Sequence, residues 1–386
     1  NGRLAGKMKP EDRVERFRYD AAGNMKEWID VLGRITRYHH DPMGRLIAEK
    51  QPGGLEVQYR YDSLGNLVSV ADSAGGKSEY RLSACGRLTS NTGPLGAITR
   101  YEYGALGNLV ATIDPLNRIK KFTHTPEGRI LSVSEPTGDE SRYEYDPIGR
   151  LVKIRRPGGG MMRFEYDAMG NLTAVSDPMG NQRRHGYDPA GRLVRTTDPM
   201  GGVTELIYDK MDRVKEERLP DGKRITYEYT AGGDLIRIDD GSFPVNYSYD
   251  SEARLTKKEY PAIRKSVAYV YDKQGLQTKL IDSESRETRY EYDSLKQLAA
   301  VVLPDGARIS FDYDIKGRLR FTHYPNGITG SREYDAAGRI TAIRYQDRNK
   351  KTMAGWSYRY DAAGNLMEQK DHLGQITLFR YDPAGQ

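Results

Sequence analysis

The sequence has one cysteine, Cys85, among 386 residues, which excludes an internal disulfide. It also lacks long apolar runs. The longest, from Leu298 to Leu303, has six residues, whereas a membrane-spanning helix needs about 18 or more. Phe and Trp are scarce, with 7 and 2 copies, but Tyr occurs 28 times. Because a tyrosine ring is apolar and its hydroxyl is polar, this balance favours a thin layer with water near both faces.

Charge is also missing in one respect, because no block of like charge is present. The 60 basic and 54 acidic residues are interleaved along the chain and leave a net charge of +6. A surface that binds nucleic acid or a membrane usually concentrates basic residues in one patch. The sequence therefore predicts neither a nucleic-acid partner nor a membrane span.

A repeat fills nearly the whole chain. Its marker is the second residue of an aromatic pair, and successive markers lie 21 residues apart except for three steps of 20, 22 and 26. Thirteen of the eighteen markers are Tyr followed by Asp, and fifteen have Gly four residues later. The markers are Tyr19, His40, Tyr61, Leu82, Tyr103, His124, Tyr145, Tyr166, Tyr187, Tyr208, Tyr229, Tyr249, Tyr271, Tyr292, Tyr313, Tyr334, Tyr360 and Tyr381.

Each repeat carries two turn signals. In Asp41-Pro42-Met43-Gly44, Asp, Pro and Gly occupy the positions that a type I turn prefers. Glycine also permits the left-handed backbone that closes a three-residue hairpin with a bulge. A second turn follows about ten residues later, as in Pro52-Gly53-Gly54 and Pro157-Gly158-Gly159. Both signals predict hairpins.

Two turns in 21 residues leave two strands of about six residues each, a common strand length. Aromatic residues alternate with a period of two, as in Tyr143-x-Tyr145, and Leu151, Leu172 and Leu193 are expected to begin return strands. No stretch has the helical period. We predict an all-β fold of about 36 short antiparallel strands in one long meander. Sheets of that width twist and must curl.

A β-propeller is the alternative. Its four-stranded blades would need two repeats each. The residue after the turn glycine alternates between Asn24, Arg45, Asn66, Arg87, Asn108 and Arg129, but the alternation fails at Arg150. The repeat also lacks the apolar inner strand of a propeller blade, so we prefer a curled sheet that spirals into a hollow shell.

The repeated Tyr, Asp and Gly residues are predicted to build the turns and an aromatic ladder across neighbouring repeats. We assign them no catalytic role, because a catalytic carboxylate pair is singular and these carboxylates are serial. The predicted structural set is Tyr19, Asp20, Gly23, Tyr61, Asp62, Gly65, Tyr145, Asp146, Gly149, Tyr166, Asp167, Gly170, Tyr187, Asp188, Gly191, Tyr313, Asp314, Gly317, Tyr334, Asp335, Gly338, Tyr360, Asp361 and Gly364.

No metal or cofactor site is predicted. His40, His124 and His185 replace aromatic residues of the ladder, and the adjacent pair His39 and His40 faces opposite sides of a strand. We expect the chain not to be an enzyme. The 26-residue step carries five extra residues within 344–355, which are interpreted as a neutral insertion or, alternatively, as a binding loop.

The repeat unit resembles the YD repeat of the Rhs and YD-repeat family, as in YDAAGN at 19–24, YDAMGNL at 166–172 and YDPAGRL at 187–193. The resemblance extends from Phe17 to Gly385. It implies a spiral β-sheet cocoon around a cavity, similar to the shells of teneurins and of the C component of insecticidal toxin complexes. In bacterial polymorphic toxins, such a cocoon encloses a variable C-terminal effector until delivery, for example by type VI secretion.

The resemblance therefore implies a structural shell that encloses the protein's own C-terminal effector, with a secretion spike and a chaperone as further partners. It also implies synthesis in a bacterial cytoplasm, followed by secretion or delivery to a target cell. Bacterial members often end the shell with a DPxGL segment where the effector is released. None of the DPxG segments here has Leu after Gly, so we assign no processing site.

The alternative function is an extracellular module that binds carbohydrate or a cell surface through exposed tyrosines. For domain organisation, we expect residues 1–386 to form a single array of about 18 repeats. Because the sequence begins at Asn1 without Met and ends inside a repeat at Gln386, it is expected to be a fragment of a longer chain, truncated at both ends.

Overall fold

The structure is a computed structural model that describes residues 5–9 and 13–385, so Asn1 and Gln386 lie outside the described residues. All 36 strands belong to one antiparallel sheet. The helical elements of the described residues are two 3-10 turns, Pro157–Gly159 and Pro261–Ile263. No helix in this part of the chain is long and apolar enough to cross a bilayer. The prediction of an all-β hairpin meander is confirmed.

The first eighteen strands are β1 (Gly6–Lys9), β2 (Arg13–Tyr19), β3 (Met25–Ile29), β4 (Ile35–His40), β5 (Leu46–Lys50), β6 (Glu56–Tyr61), β7 (Leu67–Asp72), β8 (Lys77–Leu82), β9 (Leu88–Thr92), β10 (Ile98–Tyr103), β11 (Leu109–Ile113), β12 (Ile119–His124), β13 (Ile130–Ser134), β14 (Glu140–Tyr145), β15 (Leu151–Arg155), β16 (Met161–Tyr166), β17 (Leu172–Ser176) and β18 (Gln182–Tyr187). The others are β19 (Leu193–Thr197), β20 (Val203–Tyr208), β21 (Val214–Arg218), β22 (Arg224–Tyr229), β23 (Leu235–Asp239), β24 (Val245–Tyr249), β25 (Leu255–Tyr260), β26 (Lys265–Tyr271), β27 (Gln277–Asp282), β28 (Glu287–Tyr292), β29 (Leu298–Val302), β30 (Arg308–Tyr313), β31 (Leu319–His323), β32 (Thr329–Tyr334), β33 (Ile340–Gln346), β34 (Thr352–Tyr360), β35 (Leu366–Asp371) and β36 (Ile376–Leu378).

The chain divides into two compact units. The first unit comprises Asn1–Ile119, Tyr271–Lys279 and Glu287–Gln386, and the second comprises Lys120–Val270 and Leu280–Arg286. Within each unit, a hairpin pairs with the next hairpin along the chain, for example β15 with β16 and β16 with β17. The propeller alternative is wrong, because the ladder runs on from hairpin to hairpin and does not stop at four-stranded blades.

Each strand row ends in turns at two opposite edges of the sheet. We call the row of turns that follows each marker residue the YD edge, as at 167–170, and the row of second turns the opposite edge, as at 177–180. A β-bulge lies where the marker strand meets the YD edge: Glu165 pairs with Ala174, but Tyr166 pairs with Leu172. The bulge inserts one residue and increases the local twist.

The two faces of the sheet differ in chemistry. In the β16–β17 hairpin, Phe164 lies opposite Val175 on one face, and Glu165 lies opposite Ala174 on the other. The same register repeats in β28–β29, where Tyr290 pairs with Val301. One face is therefore rich in aromatic and aliphatic residues, and the other is rich in charged residues.

The core is thin, and none of the described residues is a large side chain buried completely. The most buried apolar residues occupy one repeat position, the third residue of a return strand. They are Ala111, Ala174, Ala300 and Ala342. A small side chain at this position lets the long charged side chains of neighbouring strands cover it. Stability in such a sheet depends on contacts between repeats, because there is no second layer to pack against.

Candidate functional site: the Tyr-Asp ladder and the seam

The turn aspartate organises each YD-edge turn. At 167–170, the Asp167 amide donates to the Asn171 carbonyl at 3.0 Å, and the Gly170 amide donates to the Asp167 carbonyl at 3.1 Å. The Asp167 carboxylate also accepts the Asn171 amide at 2.8 Å. Gly170 has a φ of 90°, a conformation that side chains disfavour. Asp and Gly therefore fix the turn that the sequence predicted.

The marker tyrosine ties each repeat to the one before it. The Tyr166 hydroxyl donates to the Leu151 carbonyl at 2.9 Å, which places it on the first residue of the preceding return strand. Ten further marker tyrosines make the same bond at 2.7–2.9 Å: Tyr61, Tyr145, Tyr187, Tyr208, Tyr229, Tyr249, Tyr292, Tyr313, Tyr334 and Tyr360. The aromatic ladder is thus also a hydrogen-bond ladder.

An arginine just after the turn glycine makes a second link. Arg150 donates to Asp146 of its own turn at 2.6 Å and to the Asp167 carbonyl of the next turn at 3.0 Å. Its guanidinium carbon lies 4.9 Å from the centre of the Tyr166 ring, within the range of a cation–π contact. The other pairs are Arg45–Tyr61, Arg87–Tyr103, Arg129–Tyr145, Arg192–Tyr208, Arg213–Tyr229, Arg318–Tyr334 and Arg339–Tyr360.

Where asparagine replaces this arginine, the link is confined to one turn. The Asn171 amide group donates to Asp167 at 2.9 Å, and Asn66 donates to Asp62 at 3.0 Å. Asparagine is too short to reach the next aromatic ring. The Asn/Arg alternation in the first repeats therefore separates closed turns from bridging turns, and it does not mark propeller blades.

The turn network lowers the pKa of the turn aspartates. At Asp188, hydrogen bonds from the Arg192 side chain and backbone amide hold the pKa below its ordinary value. At Asp167, the side chain and then the backbone amide of Asn171 have the same effect on the pKa. In both cases the donors stabilise the ionised carboxylate, so the turn is built for a charged aspartate.

We expect a specific acid limit to stability. Because the pKa of these carboxyls is lower in the folded chain than in the unfolded chain, their contribution is complete above the ordinary Asp value, about 3.9. It is lost as the pH falls through the lower folded pKa. Thermal melts followed by circular dichroism should give a Tm that is nearly constant from pH 7 to 5 and falls steeply below pH 4. A Tm that fell between pH 7 and 6 would instead implicate histidines.

A double-mutant cycle should detect the arginine bridge. Arg150→Met keeps the aliphatic stem but removes the charge, and Tyr166→Leu removes the ring. We expect a coupling free energy of about 0.5–1 kcal/mol from chemical denaturation. The matched control is Asn171→Ser with Tyr187→Leu, which should show no coupling because Asn171 contacts only its own turn. Equal coupling in the two cycles would contradict the bridge.

Within the first unit, the chain also contacts itself across long sequence distances. The Lys316 ammonium lies 2.8 Å from the Asp72 carboxylate, and both side chains are 19% exposed. Asp72 belongs to an opposite-edge turn and Lys316 to a YD-edge turn. A β-carbon built on Gly53 would lie 3.5 Å from Leu295 Cδ1 and from the Ile315 carbonyl oxygen. We call this turn-to-turn contact the seam.

The seam continues along neighbouring turns. A groove of about 560 Å³ lies between the opposite-edge turns at 93–98 and 115–117 and the YD-edge turns at 337–339 and 361–364. Farther along, an Arg118 nitrogen lies 3.4 Å from a β-carbon built on Gly385. Every contact joins the opposite edge of early repeats to the YD edge of repeats about twelve units later.

Burial alone would raise the pKa of Asp72, but hydrogen bonds from Lys316 and from the Gly76 and Ala74 amides outweigh it and lower the pKa. Both charges of the seam pair are therefore retained at neutral pH. The pair is well screened from solvent, so it contributes more than an exposed ion pair would.

The predicted structural residues lie where the turns and the ladder are. Seven of the eight marker tyrosines in that set make the hydroxyl bond described above, and all eight glycines have a positive φ. The sequence analysis missed the bridging arginines and the seam residues. The arginines had a signal, a constant spacing of 16 residues to the next marker tyrosine, as from Arg150 to Tyr166. The seam pair had none.

The five extra residues lengthen one hairpin. Strands β33 and β34 have seven and nine residues, and their turn lies at 347–350. The ladder is undisturbed, because Arg339 still lies 4.5 Å from the Tyr360 ring centre. Elsewhere, the His185 ring contacts Thr196 at 3.3 Å. The described residues contain no cluster of three or more His, Cys, Asp or Glu side chains that could hold a metal.

The family model for the teneurin YD-shell matches residues 13–164 and 220–333, which is more than half of the chain. The chain belongs to the YD-shell family. The RHS repeat model matches this YD-shell chain at 166–203, 187–224 and 360–386. Members of the family form shells, so the chain has a shell-like structural role. No curated protein matches the chain.

Solved structures with a similar fold are toxin shells. The crystal structure of TcdB2-TccC3-Cdc42 matches this YD-shell chain with a TM-score of 0.65 and 13% identity, over 97% of this chain and 24% of that one. The structure of TcdB2-TccC3 matches with a TM-score of 0.60 and 12% identity, over 96% and 28%. At this identity the likeness shows the fold. The chain spans about a quarter of the length of those chains.

Proposed function

We propose that this chain is a wall segment of a shell that encloses a C-terminal effector until the effector is delivered. The full array is then one repeat domain within a longer protein, and its partners are the enclosed effector, a secretion spike and a chaperone. The protein is made in a bacterial cytoplasm and then secreted or delivered. The wall acts by exclusion, so it needs no catalytic group.

The observation that carries this proposal is the seam. A sheet that only curled would leave a gap between its early and late repeats. In the first unit, the opposite edge of the early repeats meets the YD edge of the late repeats through an ion pair and turn packing. Such a contact closes the wall between successive layers. The single-layer sheet with small, buried alanines is suited to a wall, because it encloses space with few residues.

Protection of a reporter domain tests the proposal. A small protease-sensitive domain fused after the last repeat should be cleaved much more slowly than the same domain free in solution. Asp72→Lys should restore cleavage by opening the seam, and Asp72→Lys with Lys316→Asp should restore protection. Circular dichroism must show that each variant is folded. Cleavage of the fused and the free reporter at equal rates would overturn enclosure.

The alternative of carbohydrate binding has less support. Sugars stack on the open faces of aromatic rings, but arginine guanidinium groups lie over eight marker rings. The hydroxyls of eleven marker tyrosines are hydrogen bonded to backbone carbonyls. These groups are engaged in holding the sheet together.

A further inference from the structure

A row of exposed apolar residues lies along the YD edge of the first unit. The third residue of five consecutive turns is apolar: Ala22, Met43, Leu64, Cys85 and Leu106. Met43, Leu64 and Leu106 are 78%, 75% and 78% exposed, and Ala22 and Cys85 are also exposed. Adjacent turns of one edge are two strands apart, about 10 Å, so the row extends roughly 40 Å. An exposed apolar row of this length is typical of an interaction surface.

The same turn position is covered where the seam forms. Leu64 and Leu295 occupy equivalent places in closely similar turns, Asp-Ser-Leu-Gly and Asp-Ser-Leu-Lys. Leu295 packs on the opposite-edge turn that contains Gly53 and is only partly exposed, whereas Leu64 is open to solvent. The seam thus displays the kind of surface that a YD-edge leucine docks on: an opposite-edge Pro-Gly-Gly turn with no side chain at its centre.

A second turn of that kind is free. Pro157-Gly158-Gly159 repeats the sequence of Pro52-Gly53-Gly54, and it also lies on the opposite edge. A β-carbon built on Gly158 would have nothing within 4 Å, whereas the one on Gly53 meets Leu295. The chain therefore carries both halves of a seam-like contact, one on the YD edge and one on the opposite edge, and neither half is used within the described residues.

We propose that the YD-edge row at Ala22, Met43, Leu64, Cys85 and Leu106 binds the opposite edge of a second copy of this chain, with Leu64 seated on the Pro157-Gly158-Gly159 turn. The contact continues the geometry of the seam from one molecule to the next. Because the two surfaces differ, the association is heterologous, and each added copy leaves a new free edge. This self-association goes beyond the enclosing role of a single chain.

Sedimentation velocity over a range of concentrations tests the proposal. The chain should form a concentration-dependent series of species and not stop at a dimer. Leu64→Lys with Leu106→Lys should raise the concentration needed for association by about tenfold or more, the effect of losing one buried leucine or two. Met353→Lys is the matched control, because Met353 is 53% exposed on a strand away from the row, and it should leave association unchanged.

Cysteine pairing tests the orientation. In a Cys85→Ser background, one chain carries Leu64→Cys and another carries Pro157→Cys. Mixing them under mild oxidation should give the mixed disulfide dimer, and each chain alone should give little. A chain that is monomeric at all concentrations, association that persists in the double lysine variant, or disulfide dimers of the Leu64→Cys chain alone would each overturn the proposal. Circular dichroism confirms that each variant is folded.

Discussion

Asp72→Lys should separate the two arms of the first unit, and Lys316→Asp in the same chain should bring them back together. The single variant places two ammonium groups where an ion pair was, and both positions are only 19% exposed. Removing one partner of a buried pair leaves a charge without compensation. With a discount for the partial exposure, we expect a loss of about 2 kcal/mol from the free energy of unfolding.

Hydrogen exchange measures this effect where it occurs. In the Asp72→Lys variant, amides of the turns at 51–54, 72–76 and 314–317 should exchange faster, while amides of the second unit keep their protection. In the double variant, the exchange rates of the seam turns should return most of the way to those of the parent chain. If the double variant were as open as the single one, the seam would not depend on this ion pair.

Ala300→Asp should be the most damaging single substitution in the wall. Ala300 has no exposed surface, and its neighbours across the two adjacent strands are Glu291 and Ser310. An aspartate there would be buried beside a carboxylate, with no cation opposite. Burial of an unpaired charge and a like-charge cross-strand pair together should cost about 3–4 kcal/mol. Chemical denaturation of the full chain measures this loss.

Two alanines provide matched controls. Ala174 occupies the same repeat position, but it lies between Glu165 and Arg184. Because Arg184 offers an opposite charge, Ala174→Asp should cost clearly less than Ala300→Asp. Ala190 is exposed in a YD-edge turn, so Ala190→Asp should be nearly neutral. Equal losses at positions 174 and 300 would contradict the assignment of the cross-strand neighbours.

Local structure could be predicted from the sequence because it depends on contacts close along the chain. The turn chemistry of Asp41-Pro42-Met43-Gly44 and the two-residue period around Tyr143 and Tyr145 are local features. They predicted the hairpins and about 36 antiparallel strands, which the structure confirms. The propeller alternative arose from the Asn/Arg alternation, which has another cause: the arginine reaches the next aromatic ring and the asparagine does not.

The wider family was also accessible from the sequence, because a short motif at constant spacing is specific when it recurs many times. The match to the YD-shell family confirms this. The role of the bridging arginines was less accessible. Their charge alone does not distinguish a solvated side chain from one that lies over a ring, although the spacing of 16 residues to the next tyrosine was there to be used.

By itself, then, the sequence determined the hairpin unit, its turns, its register and the ladder from one repeat to the next. These depend on residues within about one repeat of one another. The tertiary structure alone decided which distant turns meet. Asp72 and Lys316 are 244 residues apart, and their contact depends on the curvature that builds up over about twelve repeats. Small differences in twist per strand add up over that distance, so no local pattern specifies where the seam forms.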